Sequence, residues 1–293
     1  MNKVIVWGHK DGHTHGYVHE AYYKAFKYLG YDTYWFDHNT NISNIDFKNS
    51  LFFTEHQAEK NMPLIKNCVY ILHNYESKQL EKYIGYKYLN FGPYAKFCDE
   101  NKSLEKINDF SYYNPIEKTA QIPYATDLLP HEINIEDACV FDADKYYINY
   151  VGSIWSENEK FVSAFKKACV DKNKTFKNYV KVSYADNKRL IRESYIAPDI
   201  RNVGNISSGI IPCRIFKNIS YGQVTGTNSI HIYESLKDYV AYSEDCYNLF
   251  DACVDKHKSM SKEKIQESML YVKDKHTYVS RINDLIGLLN KLY

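Results

Sequence analysis

Two apolar runs separated by one amphipathic stretch set the strongest limit on what this chain can fold into. Residues 3–7 (KVIVW) and 32–36 (DTYWF) read as strands. Between them, residues 17–29 place Ala21, Tyr22, Ala25, Phe26 and Leu29 on one helical face, and Gly30 ends the helix. This is a βαβ opening, the start of a parallel sheet with crossover helices. Further strand candidates follow at 50–54, 68–73 and 88–91. An acidic, poorly periodic segment, 126–144, then reads as a connection. Beyond it the alternation resumes, with strands at 146–151, 178–183, 195–200, 223–226 and 239–242. Its helices are expected at 157–171, 186–193 and 213–221, with three closing helices at 245–257, 261–273 and 276–291. The expected class is α/β with two Rossmann-like domains. They are 1–125 and 145–275, joined by the linker 126–144 and followed by a C-terminal helix at 276–293. Such halves, facing across a cleft, bind ligands at the carboxyl ends of their strands.

A chain of 293 residues is long enough for two cores, and 29 Tyr with 14 Phe exclude a disordered polymer. Net charge is +1, so no nucleic-acid-wide or anionic-membrane surface is expected, and any anion site must be local. No apolar run approaches the roughly 20 residues of a membrane span. The opening MNKVIVWGHKDG meets His, Lys and Asp before a signal-peptide core forms, so a soluble, cytoplasmic protein is expected. Seven cysteines without a CxxC point to reduced thiols and against zinc. Arginine is scarce, with 5 residues against 32 Lys, and Arg189, Arg192, Arg201 and Arg214 fall within 26 residues of one another.

Six of the eleven histidines lie at or just past the ends of the first strand candidates: His9, His13, His15, His38, His56 and His73. Asp11, Asp37, Glu55, Asn74 and Glu76 accompany them, so a histidine held by a carboxylate and poised for proton transfer is expected there. The loop from Gly8 to Gly16 is glycine-rich and feeds the first helix. Its Asp11-Gly12-His13-Thr14-His15 also reads D-x-H-x-H, a string that supplies metal ligands in amidohydrolase-type barrels. The remaining ligands would have to come from His131, His231, His257 or His276, none at a clear strand end.

The stretch from Ser207 to Gly226 is the second informative one. Gly209 permits a turn, Pro212 suits a helix start, and Arg214 falls in the first helical turn. There the helix dipole, free N–H groups and a guanidinium converge as a diphosphate site would require. Arg201 and Asn202 fall at another strand end, while Arg189 and Arg192 read as decoration of an exposed helix. An ordinary surface ion pair is the competing reading of Arg214.

The motifs Tyr150-Val151-Gly152-Ser153, Gly209, Arg214-Ile215-Phe216, Tyr221-Gly222, Val224-Thr225 and His276-Thr277-Tyr278 with Arg281 occur in an order that resembles the C-terminal half of GT-B glycosyltransferases. The likeness is to the spore-maturation CgeB-like group and the family 1/4-like C-terminal domain in particular, and residues 122–127 (IPYATD) are similar to that group's closing segment. The resemblance implies sugar transfer from a nucleotide-diphosphate donor to a hydroxyl of a glycan or similar acceptor, without metal or further cofactor. It implies donor contacts from Gly152, Ser153, Arg201, Asn202, Gly209, Arg214, Lys217 and Thr225. His38, His56, His73 and Glu76 fall on the acceptor side, and the base is ranked His15, His13, then Asp11. Lys217 departs from the R-x-F-E of such enzymes, whose acid contacts donor hydroxyls; Glu234 is the nearest downstream acid. Asp142-Ala143-Asp144 resembles the metal-binding D-x-D of GT-A enzymes but precedes a strand and reads as linker. Two other classes stay open: a metal-dependent hydrolase using Asp11, His13 and His15, and a sugar-nucleotide or glycan binding protein without turnover.

Overall fold

The apolar runs of the first half become strands β1 (Lys3–Trp7), β2 (Asp32–Phe36), β3 (Leu51–Glu55), β4 (Val69–His73) and β5 (Lys87–Gly92), with helix α1 (Gly16–Tyr28) crossing between the first two and the short α2 (Ser77–Leu80) following β4. The computed structural model describes residues 2–10, 15–93 and 104–293. Three further strands, β6 (Glu105–Asn108), β7 (Ser111–Asn114) and β8 (Thr119–Gln121), were not expected. They extend the sheet as an antiparallel ribbon beside β5, in the order β2-β1-β3-β4-β5-β8-β7-β6. The sheet is open, with β2 and β6 at its edges. It is therefore not the closed barrel that the amidohydrolase reading of Asp11, His13 and His15 needs, and that expectation is corrected for this part of the chain.

Both faces of the central strands are covered, which is why β3 and β4 are buried at every position. Val4, Val6, Phe53 and Ile71 point to one side against Tyr22, Ala25 and Phe26 of α1. Ile5, Trp7, Phe52 and Tyr70 fill the other.

The second half contains β9 (Tyr147–Val151), α3 (Ser156–Asp171), β10 (Thr175–Tyr179), α4 (Tyr184–Glu193), β11 (Ala197–Asp199), α5 (Val203–Ser207), α6 (Cys213–Ser220), β12 (Thr225–Thr227), α7 (Ile230–Leu236), β13 (Val240–Tyr242), α8 (Leu249–Ser259) and α9 (Lys262–Lys275), and the chain closes with α10 (Tyr278–Leu292). All its strand pairs are parallel, β9 with β10 and β12 between β11 and β13. The strand expected at 178–183 ends at Tyr179, because Lys181 turns with a φ of 54° and the Ser183 side chain caps α4 by accepting from the Asp186 amide.

The chain divides into two units, Met1–Leu129 with Thr277–Tyr293, and Pro130–His276. The acidic segment 126–144 thus splits at Leu129, and α10 belongs to the first unit. It buries Ile282, Leu285 and Leu288 in that unit's core. The buried Arg281 donates from Nε to the Pro123 carbonyl at 2.9 Å and from Nη2 to that of Tyr124 at 3.1 Å. The cysteines described are free thiols. Among the described residues no helix is long and apolar enough to cross a membrane.

Candidate functional sites of the two units

In the first unit β1 pairs with both β2 and β3, so the strand order reverses there, and the carboxyl ends beside such a reversal are where open α/β sheets take ligands. Glu55 ends β3 with its side chain fully buried, in register with His73 of β4. One carboxylate oxygen lies 2.7 Å from Nδ1 of His56, and the other 3.5 Å from Nδ1 of His15. The second oxygen also accepts the Gln57 amide at 3.2 Å. The outer rings of His15 and His56 keep 25% and 27% of their side-chain exposure, whereas His19 and His73 behind them are buried. His19 lies one helical turn after His15, and its ring is 5.9 Å from that of His9. The ring needs the missing side chain of Gly8: a Cβ there would fall 2.4 Å from His19 Nδ1. His73 stacks on Phe91 at 4.7 Å.

Burial pushes the His19 imidazole down to about 3, helped by the neighbouring His15, and pushes His73 well below the ordinary imidazole range. Glu55 feels burial in the opposite sense, but the hydrogen bond and charge of His15, with His56 and His19, carry it below the usual carboxylate value. The result is a buried anionic carboxylate, two inner imidazoles kept neutral, and two outer imidazoles open to solvent, an arrangement suited to taking up a proton.

The inner pair has a consequence for stability. An unfolded histidine takes a proton near pH 6.5, while folded His19 stays neutral down to about pH 3. Below pH 6.5 the unfolded state therefore binds more protons, so stability is complete above that pH and is lost as pH falls through the window between the two values. Each such imidazole removes up to about 1.4 kcal/mol per pH unit within the window. Glu55, also depressed, adds its own loss only below its unfolded value of 4.5. The urea midpoint of the first unit should fall between pH 7 and pH 5; a flat midpoint would contradict neutral burial of His19 and His73.

Among the other positions named from the sequence, His38 lines a cavity of about 130 Å³ with Gly8, His9, Lys10, Asp37, Asn39 and Ala58. Glu76 is exposed and starts α2, its amide donating to Gln79 Oε1 at 2.8 Å. Asp11 and His13 lie outside the described residues. Among the described residues no group of three or more His, Cys, Asp or Glu side chains is placed to hold a metal ion.

In the second unit the ends of β9 and β11 meet the start of α6. Gly152 follows β9 with a φ of 144°, and a Cβ there would lie 2.0 Å from Nη2 of Arg214, so only glycine leaves room for the guanidinium. Arg214 donates from Nε to the Val151 carbonyl at 3.2 Å and from Nη1 to the Tyr150 hydroxyl at 2.8 Å. Its Cζ stands 4.5 Å from the Tyr150 ring centre. Asp199, the last residue of β11, has a fully buried side chain. Nε of Arg201 donates to both its oxygens at 3.0 Å, Nη2 of Arg201 bonds the same carboxylate, and Nη1 of Arg214 reaches it at 3.4 Å. Burial works against the charge on Arg201, but Asp199 outweighs it and raises the guanidinium above its ordinary value. Asn228 locks the loop, accepting the Arg201 amide at 2.7 Å and donating to its carbonyl at 2.9 Å.

Two guanidiniums against one carboxylate leave a net positive charge at these strand ends, and the Arg214 side chain keeps 18% exposure. Ser153 follows Gly152 and is half-buried. The remaining donor candidates have local tasks: Asn202 caps α5 by accepting the Asn205 amide at 2.7 Å, and Gly209 turns the chain with a φ of 63°. Thr225 is buried, donating to the Ala197 carbonyl at 2.6 Å and accepting from Asn218 at 3.1 Å. Lys217 is buried in α6 with its ammonium 5.7 Å from the Tyr184 ring centre, and Glu234 is exposed on α7. Arg189 pairs with Asp186 and Glu193 along α4, and Arg192 pairs with Asp137.

Asp199, Asn228 and His19 are the site residues that sequence reasoning missed, and Tyr150 enters it only as part of a motif. His19 had a signal, four residues after His15 on the same helical face; Asp199 had none, because its role exists only where the ends of β9 and β11 meet the start of α6.

No known protein-family model matches the sequence, and no curated protein matches it. Among solved structures the chain is similar to the crystal structure of a glycosyltransferase from Rickettsia africae ESF-5, with a TM-score of 0.53 at 10% sequence identity, over 99% of this chain and 97% of that one. At that identity the likeness is one of fold: the chain has a mixed α/β fold shared with a solved glycosyltransferase.

Proposed function

We propose that this chain is a metal-independent glycosyltransferase of the GT-B class, akin to the CgeB-like group, which moves a hexosyl, deoxyhexosyl or pentosyl unit from a nucleotide-diphosphate donor to a hydroxyl of a glycan or similar acceptor. The observation that carries the reading is the cluster of Arg214, Arg201 and Asp199 around the Gly152 backbone. It concentrates net positive charge, with one guanidinium in the first turn of α6, at the carboxyl ends of parallel strands. A diphosphate leaving group gains negative charge as the sugar departs. Guanidiniums already held in place stabilise that charge without having to reorganise. Within the first unit, imidazoles stand beside a buried carboxylate, a group that can accept a hydroxyl proton, and the sequence ranks His15 ahead of His13 and Asp11 as that base. The shared fold of a solved glycosyltransferase supports the same reading.

The test is a melting-temperature screen of the intact chain against UDP, GDP, dTDP and ADP and their hexose conjugates, with EDTA present. A ligand at about 100 times its Kd stabilises the native state by about 2.7 kcal/mol. One nucleoside diphosphate should raise the melting point and its sugar conjugate should be turned over. Binding without release of nucleoside diphosphate across acceptors would make the chain a sugar-nucleotide binding protein, and no stabilisation by any of them would remove the donor site.

A further inference from the structure

Glu55 faces two imidazoles, and they are not held alike. His56 follows the end of β3 directly, and its amide donates to the His73 carbonyl at 3.4 Å. Its ring lies edge-on to Tyr75 at 6.3 Å, with Nδ1 2.7 Å from the carboxylate. His15 stands 3.5 Å away on the other oxygen, at the loop end where α1 begins. The contact of His56 with the carboxylate is the shorter of the two, and its backbone is tied to β4 through the His73 carbonyl. The inner rings, His19 and His73, are buried away from any hydroxyl arriving from solvent, and His9 stacks on His19.

We propose that His56 is the base that takes the acceptor proton and that Glu55 is its positioning residue, an inference that rests on the glycosyl-transfer reading above. Nδ1 is the ring nitrogen nearer the carboxylate, and a proton held there leaves Nε2 with the free lone pair. As Nε2 takes the hydroxyl proton, the acceptor oxygen bonds to the anomeric carbon and the bond from that carbon to the diphosphate oxygen breaks. The electron pair of that bond leaves with the diphosphate, and configuration is inverted. The new imidazolium lies against the Glu55 anion until the proton passes to water.

The experiment measures nucleoside diphosphate release from UDP-, GDP- and dTDP-linked hexoses, with methyl glycosides as acceptors, from pH 5 to pH 9. It compares wild type, His56→Gln, His15→Gln, Glu55→Gln and Glu55→Asp. His56→Gln should lower kcat about 10²- to 10⁴-fold with KM for the donor unchanged, and His15→Gln by less than about 10-fold. Glu55→Gln should lower kcat and move the acidic limb of the wild-type profile down by about one pH unit, because the imidazolium loses its counter-charge; Glu55→Asp should restore part of both. Equal or greater loss in His15→Gln, or wild-type kcat in His56→Gln, overturns the inference and leaves the donor reading standing. A wild type that releases nucleoside diphosphate from none of these donors overturns both.

Discussion

Replacing Arg214 with alanine should lower kcat/KM for donor turnover by about 10²- to 10³-fold, the usual loss when one preorganised donor to a developing charge is removed. Asp199 keeps Arg201 as its counter-charge when Arg214 is removed, so the structural loss is confined to the hydrogen bonds with Val151 and Tyr150, at a side chain that stays 18% exposed. The melting point should therefore stay close to wild type while nucleoside diphosphate no longer raises it. Arg214→Lys should recover little. The guanidinium reaches Val151, Tyr150 and Asp199 at once through its fork, and an ammonium cannot reproduce that geometry. Unchanged turnover in Arg214→Ala would take the diphosphate away from the start of α6.

The largest stability effect is expected at Asp199. Its carboxylate is the counter-charge of the nearly buried Arg201, so Asp199→Ala leaves a guanidinium without its partner in a poorly solvated place. Breaking such a pair from one side costs about 3–5 kcal/mol, whereas replacing both partners by apolar groups of similar size is often close to neutral. Asp199→Leu combined with Arg201→Met should thus recover much of the stability lost in Asp199→Ala, even though donor binding does not return. Urea unfolding of the single and double variants, followed by a signal from the second unit, reads this directly. A single variant as stable as wild type would mean that the pair is solvated.

Much of the first unit is legible in the sequence. Residues of β3 and β4 are covered on both faces, so they appear as unbroken apolar runs, and the face of α1 that holds Ala21, Tyr22, Ala25 and Phe26 repeats at helical spacing. The ribbon β6 to β8 is not legible, since Ser111, Tyr112, Tyr113 and Asn114 show no alternation that separates a strand from a loop. Nor does the periodicity of α10 say which unit it covers. An amphipathic helix records that one face is buried, not what it is buried against.

The same division runs through the sites. By itself the sequence determined local facts: a helix starting after Pro212 with Arg214 in its first turn, glycines at positions 8 and 152, and histidines gathered near strand ends. Those follow from spacing and backbone preference within a few residues. Only the tertiary structure decided that Glu55 stands beside both His15 and His56, and that Asp199 gathers Arg201 and Arg214. Strand order and the meeting of separate strand and helix ends are set by pairing and packing between residues far apart in the chain, and no local period records them.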